Sequence, residues 1–186
     1  MVRERKEKKS TIFLIGFMGS GKSTLGPILA NTIGYQFIDL DVRIEQEQRR
    51  KISEIFAQQG EKAFREIEQT MLSAVIKEPK TIISLGGGTI TSSTVLEMLK
   101  KHGILIYLKS DPEHIYQRLR TKSDRPMLRD ENGSLLDEEE LKKKISVLLE
   151  SRKHFYEEAD MIIHTDGQRI GVTVDELVKK LSHLID

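Results

Sequence analysis

The sequence predicts an α/β fold, a three-layer αβα sandwich around a five-stranded parallel sheet. Three observations carry that reading. Five short apolar runs, at 11–15, 35–38, 81–85, 104–108 and 161–163, are separated by amphipathic helical sequence, the βαβα alternation of a doubly wound sheet. Apolar residues dominate each run, as strands covered on both faces require. The first run leads directly into Gly-Phe-Met-Gly-Ser-Gly-Lys-Ser at 16–23, a G-x-x-x-x-G-K-[ST] pattern, with helix-forming sequence at 25–32 behind it.

Each element has a local reason. The first helix is expected from about Lys22 to Gly34, where glycine suits a C-cap. After the second strand, Asp39-Leu40-Asp41 opens a charged helical region that Pro79 stops. At 39–77 it is too long for a simple crossover and predicts a substrate-binding insertion. Gly86-Gly87-Gly88 follows the third strand. Ser110-Asp111-Pro112-Glu113 reads as an N-cap with proline in the first turn of a helix ending near Arg120. Segment 121–136 is polar, holds Pro126 and Gly133, lacks periodicity and predicts a lid. The next helix opens at Asp137. Its acid-first i,i+4 pairs, Glu138 with Lys142, Glu139 with Lys143 and Glu140 with Lys144, mark a solvated face.

Composition narrows the function. A chain of 186 residues suits one compact domain with a continuous core. The net charge of +1 gives no global field for nucleic acid or an anionic membrane. The lack of cysteine excludes disulfides, zinc–thiolate sites and thiol nucleophiles, and fits a reducing compartment. Residues 1–10 read as a flexible charged tail without the apolar stretch of a signal peptide, and no run approaches membrane-spanning length, so a cytoplasmic protein is expected.

The chemistry concentrates at the strand ends. Doubly wound sheets bind ligands beyond the carboxyl ends of their strands, so 16–23, Asp39, Asp41 and Gly86–Gly88 are expected along one edge. Backbone N–H groups of Gly19, Ser20, Gly21, Lys22, Ser23 and Thr24 at a helix N-terminus form a phosphate cradle. Lys22 would reach the β- and γ-phosphates, and the Ser23 hydroxyl would ligate Mg²⁺. If the chain stays extended through Asp39 and Asp41, their carboxylates share a face. One could hold Mg²⁺ or its waters and the other orient a nucleophilic hydroxyl; the alternative is a helix N-cap and a surface acid. The three glycines could let the backbone approach a ligand and donate to it, or form a plain loop. Ser84 could hold a metal-bound water or bond to backbone.

Two arginines lie on inward faces. Arg152 continues the Leu141/Ile145/Leu148 stripe toward Tyr156, so its charge needs a partner, either a protein carboxylate or a substrate anion. Arg65 borders the Phe64/Ile67/Met71/Val75 stripe and is a weaker candidate of the same type. Arg125 precedes Pro126, which keeps it extended, and would close over the γ-phosphate. Thr121-Lys122-Ser123-Asp124 and Asp130–Gly133 imitate guanine-nucleotide motifs, but neither follows a strand and their order is reversed. The five histidines show no metal-ligand spacing.

Taken together, GFMGSGKST at 16–24, FIDLD at 37–41, ISEIFAQQGEKAFREIE at 52–68, SLGGGTI at 84–90, DRPML at 124–128 and the Arg152-x-x-x-Tyr156 pattern resemble shikimate kinases. The resemblance implies a nucleoside-monophosphate-kinase-like core, a substrate-binding region at 39–77 and a lid at 121–136, all within one kinase domain over 1–186. It implies MgATP-dependent phosphorylation of the shikimate 3-hydroxyl, on the route to chorismate and the aromatic amino acids. By the same resemblance, Asp41 engages the acceptor hydroxyls and serves as base or orienter, and Asp39 is the magnesium-side acid. Arg65, Arg152 and the Gly86–Gly88 backbone grip the acceptor, Arg125 covers the phosphates, and Arg120 stacks on adenine. Two departures are visible: His154 where the family often has proline, and no proline at 166–169. The expected partners are shikimate and ATP, and the expected state is a monomer. Two alternatives remain, a related kinase acting on gluconate or a nucleotide, and a non-catalytic ATP-binding regulator.

Overall fold

The computed structural model describes residues 9–90, 92–120, 134 and 136–185. The five strands are β1 (Thr11–Ile15), β2 (Gln36–Asp39), β3 (Thr81–Ser84), β4 (Ile104–Lys109) and β5 (Met161–His164). They pair in parallel in the order β2-β3-β1-β4-β5. Side chains alternate across β1. Phe13 and Ile15 face a layer built by α3 (Ile52–Val75) and α4 (Ser93–His102), whereas Ile12 and Leu14 face α1 (Lys22–Ile33) and α7 (Ile170–Leu181). That alternation produces the three layers. A third, smaller cluster joins α5 (Pro112–Leu119) and α6 (Glu138–Tyr156) through Ile115, Leu119, Leu141 and Ile145, with Phe17 buried among them.

Register fixes the functional edge. Asp39 pairs with Ser84, and Ser84 pairs with Leu14. Three strands therefore end level, and the segments that leave them start side by side.

Two parts of the expected insertion differ. The charged region after β2 is two helices, α2 (Leu40–Gln48) and α3. Between them Arg49 takes a left-handed conformation at φ 52. The break is held by Glu45, which accepts from the Ile52 N–H at 3.0 Å and pairs with Lys51 Nζ at 2.9 Å. α3 itself bends at Gly60, φ 80 and ψ 174, a conformation essentially reserved for glycine. Phe56 and Phe64 stack across the bend with centroids 4.7 Å apart.

Other boundaries follow the expected signals. Gly34 is the left-handed C-cap of α1 at φ 72. Asp137 caps α6, accepting from the Glu140 N–H at 2.9 Å, while Glu140 returns to the Asp137 N–H at 3.2 Å. Glu140 is thus a capping residue, and Lys142 pairs with Glu138 at 2.8 Å. The proposed lid falls outside the described residues apart from 134 and 136. Among the described residues, no helix is long and apolar enough to cross a membrane.

Candidate active site

The glycine-rich turn leaves β1 and enters α1 through Gly21, whose φ of 103 places an N–H-bearing backbone cap where no side chain is needed. Ser20 N–H bonds to Phe17 O at 3.1 Å, closing the turn. Phe17 is buried in the α5–α6 cluster and anchors the loop from beneath. Lys22 is also buried, its ammonium donating to Gly16 O at 2.7 Å and Phe17 O at 3.0 Å. Ser20 Oγ is buried in the same loop with no hydrogen-bond partner among the described residues. Ser23 lies one step along and donates to Asp39 Oδ2 at 2.9 Å.

Asp39 and Asp41 both line the cavity, but through a different geometry from the extended chain expected. The helix α2 begins at Leu40, so Asp39 is its N-cap and Asp41 belongs to its first turn. Asp39 Oδ1 accepts from the Asp41 N–H at 3.2 Å and the Val42 N–H at 3.4 Å, leaving Oδ2 for Ser23. The capping role and the metal-side role are therefore compatible, because they use opposite oxygens of one carboxylate.

Three successive glycines receive the other candidates. A Cβ built on Gly86 would lie 2.9 Å from Asp41 Oδ1, one on Gly87 3.2 Å from Arg152 Nη1, and one on Gly88 2.6 Å from Arg65 Nη2. The Gly87 position is also 3.5 Å from Met18 N and 3.7 Å from Gly16 O, within the phosphate loop. The absence of side chains is what lets an acid, two cations and the loop meet. Ser84 is buried at the end of β3 and lines the same cavity.

The arginines are held differently. Arg65 donates to Glu68 Oε2 at 2.7 Å and to Glu61 Oε1 at 3.1 Å. Burial works against its charge, but hydrogen bonds and charge from Glu68 and then Glu61 raise its pKa above the usual value and keep it cationic. Arg152 packs over the Phe17 ring at 5.5 Å. Among the described residues, no carboxylate stands within ion-pair distance of it.

Of the remaining expected contributors, one lies off the cavity wall and one outside the described residues. Arg120 is exposed just past the end of α5 and does not line the cavity. Arg118, two residues earlier, lines the cavity and donates to Gly19 O at 2.9 Å and to Thr165 O at 3.2 Å. Arg118 is itself held by Asp166, whose carboxylate also accepts from Ser110 Oγ at 2.6 Å and the Asp111 N–H at 2.7 Å. Arg125 lies outside the described residues.

Glu68 is the residue that sequence reasoning missed. It is only 2 % exposed, and Thr89 Oγ1 donates to its second oxygen at 2.6 Å. Its signal was present: Phe64, Glu68 and Leu72 follow i+4 spacing and are all buried, which puts a carboxylate on an inward face.

The cavity enclosed by these segments has a volume of about 1610 Å³. Its donor set is oxygen-rich on the Ser23–Asp39 side, which suits a hard cation such as Mg²⁺, and cationic on the Arg65–Arg152 side, which suits an organic anion.

Comparison with known proteins follows the same line. The family model for shikimate kinase matches residues 18–182. A shikimate kinase of Chlorobium chlorochromatii is 46% identical over 176 residues, spanning 95% of this chain and 93% of that protein. The solved shikimate kinase of Bacteroides thetaiotaomicron superposes with a TM-score of 0.84 at 34% identity, covering 92% of this chain and 98% of its own. A shikimate kinase from Acinetobacter baumannii, solved in complex with shikimate, gives 0.83 at 32% identity and covers 97% of each chain.

Proposed function

The chain belongs to the shikimate kinase family, transferring phosphate from ATP to shikimate, and from that premise we propose how its own residues divide the reaction. The observation that carries the proposal is the meeting of Asp41, Arg152 and Arg65 over Gly86, Gly87 and Gly88, beside the phosphate loop.

ATP lays its phosphates across the N–H groups of 19–24, where Lys22 exchanges its two loop carbonyls for the β- and γ-phosphates. Ser23 and Asp39 would hold Mg²⁺, which when bound neutralises phosphate charge and polarises the transferred group. Arg65 and Arg152 grip the shikimate carboxylate, with Gly87 and Gly88 close behind. Asp41 orients the 3-hydroxyl toward the γ-phosphorus and accepts its proton as the new P–O bond forms and the bond from the γ-phosphorus to the β–γ bridging oxygen breaks, releasing ADP. Arg125 supplies charge over the γ-phosphate, Arg120 stacks on adenine, and Arg118, bonded to Gly19 O, flanks the nucleotide side. Rate enhancement then comes from alignment and charge stabilisation.

The reading includes one kinase domain over 1–186, acting in the cytoplasm as a monomer; sedimentation at a mass near 21.3 kDa tests the last point. The decisive assay is shikimate-dependent ADP release. Asp41→Asn keeps the shape of the side chain and removes the acceptor charge, so turnover falls by at least about 10²-fold while ATP affinity, read by calorimetry, stays within about twofold. An active Asp41→Asn enzyme removes Asp41 from the proposed role.

A further inference from the structure

The Gly86–Thr89 segment is a β-turn, closed by the Thr89 N–H to Gly86 O bond at 3.2 Å. Gly87 and Gly88 are its central residues, so the peptide between them is the one that distinguishes a type I from a type II turn. Neither glycine has a positive φ. Glycine at the second central position tolerates the opposite state, because a type II turn needs positive φ there. A Gly-Gly turn alone therefore has little to stop its middle peptide from rotating.

Tyr156 supplies what the turn lacks. At the end of α6, 69 residues away, its hydroxyl donates to Gly87 O at 2.6 Å. The residue is 2 % exposed and its ring stacks on Tyr107 with centroids 4.9 Å apart, so the hydroxyl is rigidly aimed. A trans peptide directs its C=O and N–H to opposite sides. Fixing the Gly87 carbonyl on the protein side turns the Gly88 N–H the other way, toward the cavity that Gly87 and Gly88 line. Arg152 lies against both partners: its Nη1 is 3.2 Å from the Gly87 Cβ position, and its charge acts on the Tyr156 phenol.

We propose that Tyr156 is a positioning residue that locks the central peptide of the glycine turn, holding the Gly88 N–H and Arg152 in the orientation that receives the acceptor. The inference rests on the acceptor site proposed above. It assigns Tyr156 no contact with substrate. The phenol acts through the turn and through Arg152, and the burial that pushes its pKa up to about 12 keeps the donating proton in place.

Tyr156→Phe tests it, because phenylalanine keeps the ring stack and deletes only the hydroxyl. The expected result is a rise of about tenfold in the shikimate KM, with the ATP KM within about twofold, as loss of one well-placed hydrogen bond predicts. An unchanged shikimate KM, or equal rises for both substrates, overturns the lock. Arg152→Ala separates this failure from failure of the acceptor reading. If Arg152→Ala leaves the shikimate KM unchanged, the acceptor site itself is wrong; if it raises that KM while Tyr156→Phe does not, only the lock is wrong. Should Tyr156→Phe not fold, 3,5-difluorotyrosine at position 156 retains ring and hydroxyl but ionises earlier. The shikimate KM must then climb at alkaline pH where the unmodified enzyme is flat, and a flat profile in both refutes the proposal.

Discussion

Replacing Gly88 by alanine is the sharpest probe of the acceptor pocket. The new methyl would sit 2.6 Å from Arg65 Nη2, so that nitrogen must retreat by about 0.8 Å to reach ordinary contact at 3.4 Å. The obstacle is the far end of a flexible side chain, so the backbone need not move and the fold survives. Arg65 cannot yield freely, because its other nitrogen holds Glu68 at 2.7 Å. Glu68 in turn is buried and bound by Thr89. Displacement therefore spoils the aim of the guanidinium rather than removing its charge. A charge-assisted hydrogen bond is worth about 1.5–3 kcal/mol, so misaligning one raises the shikimate KM by about ten- to hundredfold. Initial-rate kinetics with both substrates varied, together with a thermal melt, separate the effects. The expected enzyme has its ATP KM within about twofold and a melting temperature within about 3 °C of the parent. A Gly88→Ala enzyme with normal shikimate KM would show that Arg65 does not meet the acceptor, and the clamp would have to be abandoned.

Three further outcomes follow from other contacts. Asp166→Asn puts an amide where the carboxylate now accepts from Ser110, Asp111 and Arg118, so Arg118 loosens; the ATP KM should rise about tenfold and the shikimate KM stay level in steady-state assays. Gly103→Ala would bring a methyl 2.5 Å from the Thr11 carbonyl oxygen, in a central strand that cannot move aside, costing about 1–3 kcal/mol of stability in denaturant titration. Burial raises the Tyr156 pKa from 10.0 to about 12 in the folded protein. The unfolded chain loses that proton first, so this contribution to stability is complete below pH 10.0 and declines as pH rises toward about 12. Tyr156→Phe should flatten that part of the alkaline stability curve, and an unaltered slope would contradict the burial argument.

Most of the architecture could be read because its signals are local. The inner strands β1, β3 and β4 are buried and written as apolar runs, whereas the edge strands β2 and β5 are partly exposed; Gly34 and Asp137 cap helices through their own chemistry, and the phosphate loop is contiguous. Arg152 was legible because an inward-facing charge breaks an i+4 stripe. Glu68 breaks a neighbouring stripe in the same way, but its role appears only with Thr89, 21 residues away. The division of 39–77 into two helices was hidden for a different reason. Arg49 is not a residue that announces a left-handed turn, and the Glu45 bonds that stabilise it are formed only after the chain has turned. Arg118 joins the cavity wall through contacts to Gly19, Thr165 and Asp166, which no spacing rule connects.

The bend at Gly60 divides the acceptor wall into two planks. Ile52, Ser53 and Phe56 belong to one, Phe64, Arg65 and Glu68 to the other, and the stacked phenylalanines brace the joint. A straight helix would present both sets at one pitch, so any change in one would tilt the other. With the joint, substitutions on the first plank can recontour the mouth of the pocket while the guanidinium and its buried carboxylate keep their alignment. Selectivity for the acceptor's outline and grip on its charge can therefore drift separately over evolution.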